Sequence, residues 1–240
     1  KVQFYKKKIK ELTKNKSSIL LLNIPEKTNN KVFNSLFLFK NGSIIFKKNK
    51  SVLPNYGVFD EKRYFHSHKI NEPDFTYKNK KIRFLICEEM WSKKLMINSN
   101  KKIDYIVCIN ASPYEINKYN ERKKIVARNA KFFQSNVIYI NYVGCQDDLI
   151  YDGGTFVMNK KAEVIYQCDF FKESEKMLNI DRIEGKKITK INYDTQSQIY
   201  CALIYSLQSY LKNNNFKKVI IGLSGGIDSA LCLMIAVDAL

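Results

Sequence analysis

Short apolar runs separated by polar turns fill roughly the first 150 residues. "SILLLNIP" (18–25), "SLFLFKNGSIIF" (35–46), "KIRFLICEE" (81–89), "DYIVCIN" (104–110) and "NVIYINYV" (136–143) each read as strands. Several are apolar on both faces, the pattern of a sheet covered on both sides. "KNG" at 40–42 is a hairpin turn, and "GGTFVMNKKAEVIYQC" (153–168) predicts a second hairpin turning at Asn159–Lys161. Between the last two strands, "NKYNERKKIVARNAKFFQSN" (117–136) has the spacing of an amphipathic surface helix. Residues 1–18 read as a basic helix. The pattern is that of an α/β layered protein with a mixed sheet.

Near residues 172–195 the chain turns polar, as a connector does. An amphipathic helix follows from about Thr195 to Asn213, then an apolar run at 219–223 that predicts a strand. These features place a domain boundary at about residue 190, with one domain over 1–190 and the start of another over 191–240.

With 45% hydrophobic residues, 15 Phe and 15 Tyr, the composition is that of a chain with a packed core rather than a disordered one. No apolar run approaches the roughly 20 residues that span a bilayer, so no membrane association is expected. The N-terminus lacks the apolar stretch of a secretory signal, which predicts a cytoplasmic protein. Its six cysteines then read as free thiols in a reducing compartment. The net charge of +18 comes from lysines dispersed along the whole length, with no basic arm and no nucleic-acid motif. Nucleic-acid binding is not expected.

"GLSGGIDSA" (222–230) carries more specific chemistry. Gly225 and Gly226 let backbone N–H groups turn inward around a phosphate, and Ser224 and Ser229 add hydroxyl donors. A helix starting near Ser229 would point its positive end at the anion. The lysine and spacing of a Walker A loop are absent. The stretch resembles the pyrophosphate-binding loop of ATP pyrophosphatases, which assigns ATP binding to Gly222, Leu223, Ser224, Gly225, Gly226, Ile227, Asp228 and Ser229. By the same resemblance, Asp228 would stand where that family can place a Mg²⁺ ligand.

Upstream, "ICEEMW" puts Cys87 at the end of an apolar strand, where a side chain emerges at the rim of a sheet. Histidine is a scarce partner, since His66 and His68 are the only two, and no third metal ligand accompanies that H-x-H pair. Lys50 precedes "LPNYGVF", an apolar-aromatic loop unlike the surrounding lysine-rich surface. The two stretches together resemble the nitrilase superfamily of carbon-nitrogen hydrolases, whose Glu-Lys-Cys triad sits on an αββα sandwich. More narrowly, "LPNYGVFDEKRYF", "ICEEMW", "NASPYEINK", "VGCQDDLIYDGGTFV" and "GLSGGIDSA" follow one another as in the glutamine-dependent NAD⁺ synthetases.

The resemblance implies an αββα nitrilase-like glutaminase followed by the first elements of a doubly wound α/β nucleotide-binding domain. Cys87 would attack the glutamine side-chain amide and Lys50 would stabilise the oxyanion. Tyr56 would contact glutamine, with Ser112 and Lys118 at its α-amino and α-carboxylate groups. The reaction implied consumes ATP, with Mg²⁺, to amidate deamido-NAD⁺, in a homo-oligomer that passes ammonia between domains. Two alternatives stay open: a stand-alone nitrilase-type amidase with a dispensable tail, and an inactive binding module.

Three features depart from the family pattern. No glutamate on an early strand matches the triad base; Glu11 falls on the basic helix, and Glu61, an acidic position near the lysine, is not assigned that role. Cys145 stands where the family commonly has a glycine. Only about 50 residues remain for a synthetase domain that needs roughly 100–200. The expectation is an internal piece of a longer enzyme, or the product of a decaying gene, that alone neither makes NAD⁺ nor hydrolyses glutamine vigorously.

Overall fold

The computed structural model describes residues 1–68, 73–96, 102–179 and 194–240. They fall into two compact units, Lys1–Ile109 with Arg128–Val137, and Asn110–Ala127 with Ile138–Leu240. The boundary expected near residue 190 lies outside the described residues.

In the first unit, the basic N-terminal helix forms as α1 (Val2–Thr13). It is followed by an antiparallel meander of β1 (Leu20–Thr28), β2 (Lys31–Lys40) and β3 (Ser43–Asn49). The β2–β3 turn is Asn41-Gly42, with φ of 45° and 74°. Two left-handed central residues are what a type I′ turn requires, and Asn-Gly tolerates them best. The turn also reaches the end of α1, where the Asn15 N–H donates to Asn41 Oδ1 at 2.9 Å.

The same unit holds β4 (Phe75–Tyr77), β5 (Lys80–Ile86) and most of β6 (Tyr105–Asn110). β4 and β5 are antiparallel, and β5 and β6 are parallel, with Ile82 opposite Tyr105 and Ile86 opposite Ile109. Leu36 and Leu38 of β2 share one buried cluster with Phe84 and Ile86 of β5, so the two sheets face each other. Burying each such side chain stabilises by about 1.5–3 kcal/mol. On the far side of β2, Phe37 is covered by Lys6 of α1, whose Nζ lies 4.1 Å from the ring centroid. On the far side of β5, the Arg83 guanidinium lies 4.8 Å from the ring of Phe133, at the end of α3 (Lys118–Phe133). Helix, sheet, sheet and helix stack in that order, the αββα layering expected from the sequence.

Glu26 of β1 fastens α1 to this sheet. Its Oε1 accepts from Lys6 Nζ at 2.7 Å and its Oε2 pairs with Lys47. Burial pushes the Glu26 carboxyl up, but hydrogen bonds and charge from Lys47 and Lys6 outweigh it and hold the group below its ordinary value of 4.5. A carboxyl depressed in the folded state contributes stability above its unfolded value and loses it as pH falls through the folded one. The protection of the α1 amide protons, relative to their intrinsic exchange at the same pH, is therefore expected to fall as pH drops below about 4.5. Glu26→Gln should raise exchange at neutral pH and flatten that dependence, as hydrogen-exchange mass spectrometry can read.

The unit boundary falls within α3 and β7 (Asn136–Asn141). In the second unit, "NVIYINYV" breaks at Tyr142, whose N–H donates to Asn110 O at 2.9 Å. After the break, β8 (Val143–Gln146) pairs antiparallel with β9 (Leu149–Asp152). β10 (Phe156–Met158) pairs with β11 (Val164–Gln167) as the predicted second hairpin. Its turn is wider than Asn159–Lys161, because Asn159 Oδ1 accepts from both Lys161 N (3.0 Å) and Glu163 N (2.9 Å).

The helix expected from about Thr195 is α4 (Thr195–Asn213), capped by Asp194, which accepts from Ser197 N at 2.9 Å. α5 (Ile227–Ala239) packs on it, with Tyr200 Oη donating to Asp238 Oδ2 at 2.6 Å. The strand predicted at 219–223 does not form. A strand exists only by pairing; this run has no strand partner among the described residues, and Ile220 is 99% exposed. None of the described helices is long and apolar enough to cross a membrane.

Candidate active site

Lys50 leaves β3 with its backbone N–H donating to Asn34 O at 2.8 Å. Its side chain is 1% exposed, and its ammonium meets Glu61 Oε1 at 2.6 Å. Burying an ammonium is costly without a counter-charge, and Glu61 supplies one to Lys50. Glu61 begins the one-turn helix α2 (Glu61–Tyr64), and its N–H donates to Pro54 O at 3.2 Å, closing the apolar-aromatic loop on itself. The other Glu61 oxygen, Oε2, is buried and has no hydrogen-bond partner among the described residues. That leaves a spare acceptor beside the lysine for an N–H group.

Cys87 follows the last residue of β5 and opens a single 3₁₀ turn, Cys87–Met90. Its φ is 47°, in the left-handed region, which costs a residue with a Cβ about 1–2 kcal/mol. Such a conformation persists only where the surroundings impose it, and it lifts the side chain out of the strand's alternation. The turn is braced from α3: Arg128 Nη2 donates to Met90 O (3.1 Å) and Trp91 O (3.0 Å), and Asn129 Nδ2 donates to Met90 O (2.9 Å). Tyr56 belongs to the same unit, with Oη donating to Glu88 Oε2 at 2.8 Å. The first unit therefore holds Lys50, Tyr56 and Cys87, with Lys50 paired to Glu61 and Tyr56 bonded to Glu88, the residue after Cys87.

Ser112 and Lys118 lie in the second unit. Ser112 is held on every side: its N–H donates to Asn141 Oδ1 (2.9 Å), and its hydroxyl accepts from Arg122 Nε (3.1 Å). Lys118 pairs with Glu115 at 2.9 Å and Glu121 at 3.5 Å. The helix predicted as a surface element hides one charge completely. Arg122 is 1% exposed and forks onto Asp152, with Nη1 2.8 Å from each carboxylate oxygen, while Nη2 donates to Ser112 O (2.9 Å) and Pro113 O (2.8 Å). Asn141 Nδ2 closes the set on Asp152 Oδ1 (3.3 Å) and Gly153 O (3.1 Å). Burial pushes the Asp152 carboxyl up by more than the Arg122 charge and hydrogen bond draw it down. The sequence reading missed this network. One signal was present: Arg122 is an arginine in a chain whose default cation is lysine, and only a guanidinium makes a five-donor fork.

At the C-terminal loop, α5 starts at Ile227, with Gly226 as its N-cap, two residues earlier than Ser229. Gly225 has φ 84° and open space where a Cβ would stand, as has Gly222. Ser224 Oγ lies 3.1 Å from Ser229 Oγ, which also touches Gly226 O at 2.9 Å. Leu223 and Ile227 are exposed, and Asp228 sits in the first turn of α5. A helix start, two hydroxyls and no obstructing Cβ suit an anion. Among the described residues no three His, Cys, Asp or Glu side chains gather as a metal site, so Asp228 stands as a single carboxylate. Cys145, the departure noted above, is half-buried, with burial pushing its thiol up and Sγ 4.0 Å from Tyr205 O.

The first unit is a helix–sheet–sheet–helix stack that carries a lysine and a cysteine at its strand ends. Residues 5–189 match the carbon-nitrogen hydrolase family, and the chain belongs to it. Residues 199–240 match the NAD synthase family. The chain is 41% identical to a glutamine-dependent NAD(+) synthetase of Acinetobacter baylyi over 87% of its own length and 39% of that protein's. It is 37% identical to the Synechocystis protein of the same name, over 88% of this chain and 40% of that one. The glutamine-dependent NAD+ synthetase of Acinetobacter baumannii, solved with adenosine diphosphate, superposes with a TM-score of 0.89 at 37% identity. That match covers 100% of this chain and 46% of the solved one. The chain thus spans less than half the length of the relatives it matches.

Proposed function

We propose that this chain carries the glutamine-hydrolysing centre and the opening of the ATP site of an enzyme that converts deamido-NAD⁺ to NAD⁺. The observation that carries the reading is the pairing, in one unit, of a fully buried Lys50 with a left-handed Cys87 at a strand end, in a chain whose later residues match NAD synthase. Cys87 Sγ adds to the amide carbon of glutamine, and the Lys50 charge holds the oxygen that becomes negative. The C–N bond breaks, ammonia leaves with the thiol proton, and water hydrolyses the glutamyl thioester to glutamate, restoring the thiol. Tyr56, Ser112 and Lys118 are assigned to the substrate, with Ser112 set in place by Arg122 and Asn141.

The division near residue 190 separates this hydrolase part from the nucleotide part. Residues 222–229 would hold the phosphates of ATP, and Asp228 would be the residue that holds a Mg²⁺ ion, whose charge would offset that of the phosphates. ATP supplies the leaving group that makes the nicotinate carboxylate reactive toward ammonia, releasing AMP and diphosphate. The reading places the protein in the cytoplasm as a homo-oligomer acting on small molecules.

The test uses the protein as its cells make it, with ATP, deamido-NAD⁺ and glutamine labelled with ¹⁵N at the amide. The label is expected in NAD⁺, and Cys87→Ala should block labelling from glutamine. Release of ammonia from simple amides without ATP, and no label in NAD⁺, would favour a stand-alone amidase instead.

A further inference from the structure

Glu89 is the most completely engaged carboxylate of the first unit, and nothing in the assigned chemistry uses it. Its side chain is 0% exposed. Oε1 accepts from Ser51 N at 2.8 Å and Ser51 Oγ at 2.6 Å, and lies 3.2 Å from Lys48 Nζ. Oε2 accepts from Ile86 N at 2.8 Å. Ser51 is the residue after Lys50, and Ile86 is the residue before Cys87. One carboxylate thus spans the exits of two strands on different sheets, at anchor points 35 positions apart in sequence.

We infer that Glu89 is a positioning residue that sets the distance and direction between the Lys50 ammonium and the Cys87 thiol. The inference rests on the reading of that pair given above. Glu89 holds the amide that joins Lys50 to Ser51 and the N–H of the residue before Cys87, so a shift of either strand end strains a buried hydrogen bond. Glu89 also constrains the turn itself. Its Oε2 bond to Ile86 N closes the loop around Cys87 from inside, which favours the left-handed conformation at that residue. A neutral side chain of the same shape cannot do the same. An amide in place of the carboxylate points an N–H at Ser51 or at Ile86, both of which are donors there. Lys48, 7% exposed, would also lose its counter-charge.

The two effects of removing the Glu89 charge have opposite signs at Cys87, which separates positioning from mere proximity. Deleting a nearby negative charge by itself favours the thiolate, whereas moving Lys50 away disfavours it. The other charged groups around the pair are Glu61 on Lys50, Glu88 on Tyr56 and Lys48 on Glu89.

The experiment is the pH profile of Cys87 alkylation by iodoacetamide in the 240-residue protein, read residue by residue by mass spectrometry with the other cysteines as internal controls. Lys50→Met is expected to move the Cys87 midpoint upward by at least about one unit, tenfold in rate at neutral pH. Glu89→Gln should move it in the same direction by a comparable amount. Ser51→Ala, which removes one of the four donors and is the milder change, should move it less in the same sense. A downward or absent shift in Glu89→Gln and Ser51→Ala, with Lys50→Met shifted upward, would overturn the positioning role and leave the Lys50–Cys87 pair standing. No shift in Lys50→Met would overturn both. Should Glu89→Gln not fold, Ser51→Ala decides alone.

Discussion

Replacing Arg122 with methionine is expected to cost about 3–5 kcal/mol of stability, because it leaves Asp152 buried without its partner. Two backbone carbonyls and the Ser112 hydroxyl lose donors in the same step. Arg122→Lys should recover little, since one ammonium cannot replace a planar fork that serves five acceptor atoms. The double replacement Arg122→Met with Asp152→Leu should cost less than Arg122→Met alone, since no unpaired charge then remains. pH adds a signature. Burial already holds the Asp152 carboxyl above its ordinary value, and loss of Arg122 raises it further. The penalty in Arg122→Met should therefore shrink as the solution is acidified through that raised value, because the protonated carboxyl is no longer an unpaired charge. Urea unfolding at neutral and mildly acid pH measures both effects. A loss below about 1 kcal/mol would place the network among ordinary surface ion pairs.

The second large effect concerns Lys50. A glutamine analogue with an electrophilic ketone in place of its amide should modify Cys87, and Lys50→Met should slow that modification by about 10²-fold or more. The magnitude is that of losing one fixed donor to a developing oxyanion in a site closed to water. Lys50 is suited to the task because its side chain is 1% exposed and aligned by Glu61 at 2.6 Å. Methionine keeps the length and most of the volume, so the variant reports charge rather than packing.

Much of this arrangement was legible in the sequence, for identifiable reasons. Alternating and doubly apolar runs located β2, β5, β6 and β7, and Asn41-Gly42 specified its hairpin, since both signals are local. Strands apolar on both faces announced a covered sheet in an α/β layered protein, and the αββα order came from the resemblance to the nitrilase superfamily. Cys87 and Lys50 stood out by position and by the "ICEEMW" and "LPNY" stretches around them. What was not legible depends on contacts distant in sequence. Nothing near Glu89 announces that it will bind Ser51, 38 positions away. Asp152 and Arg122 are 30 positions apart, and each alone looks like an ordinary surface charge. The predicted strand at 219–223 illustrates the converse: an apolar run satisfies the local criterion, while strand formation requires a neighbour that local pattern cannot supply.

The central claim is that Lys50 and Cys87 form a site shaped for glutamine. The most direct measurement is site-resolved labelling of Cys87 by the glutamine-like electrophile, with and without excess glutamine. The account predicts that Cys87 reacts ahead of the other five cysteines, that glutamine protects it, and that Lys50→Met removes the advantage. Equal labelling of all six thiols, unaffected by glutamine, would contradict it.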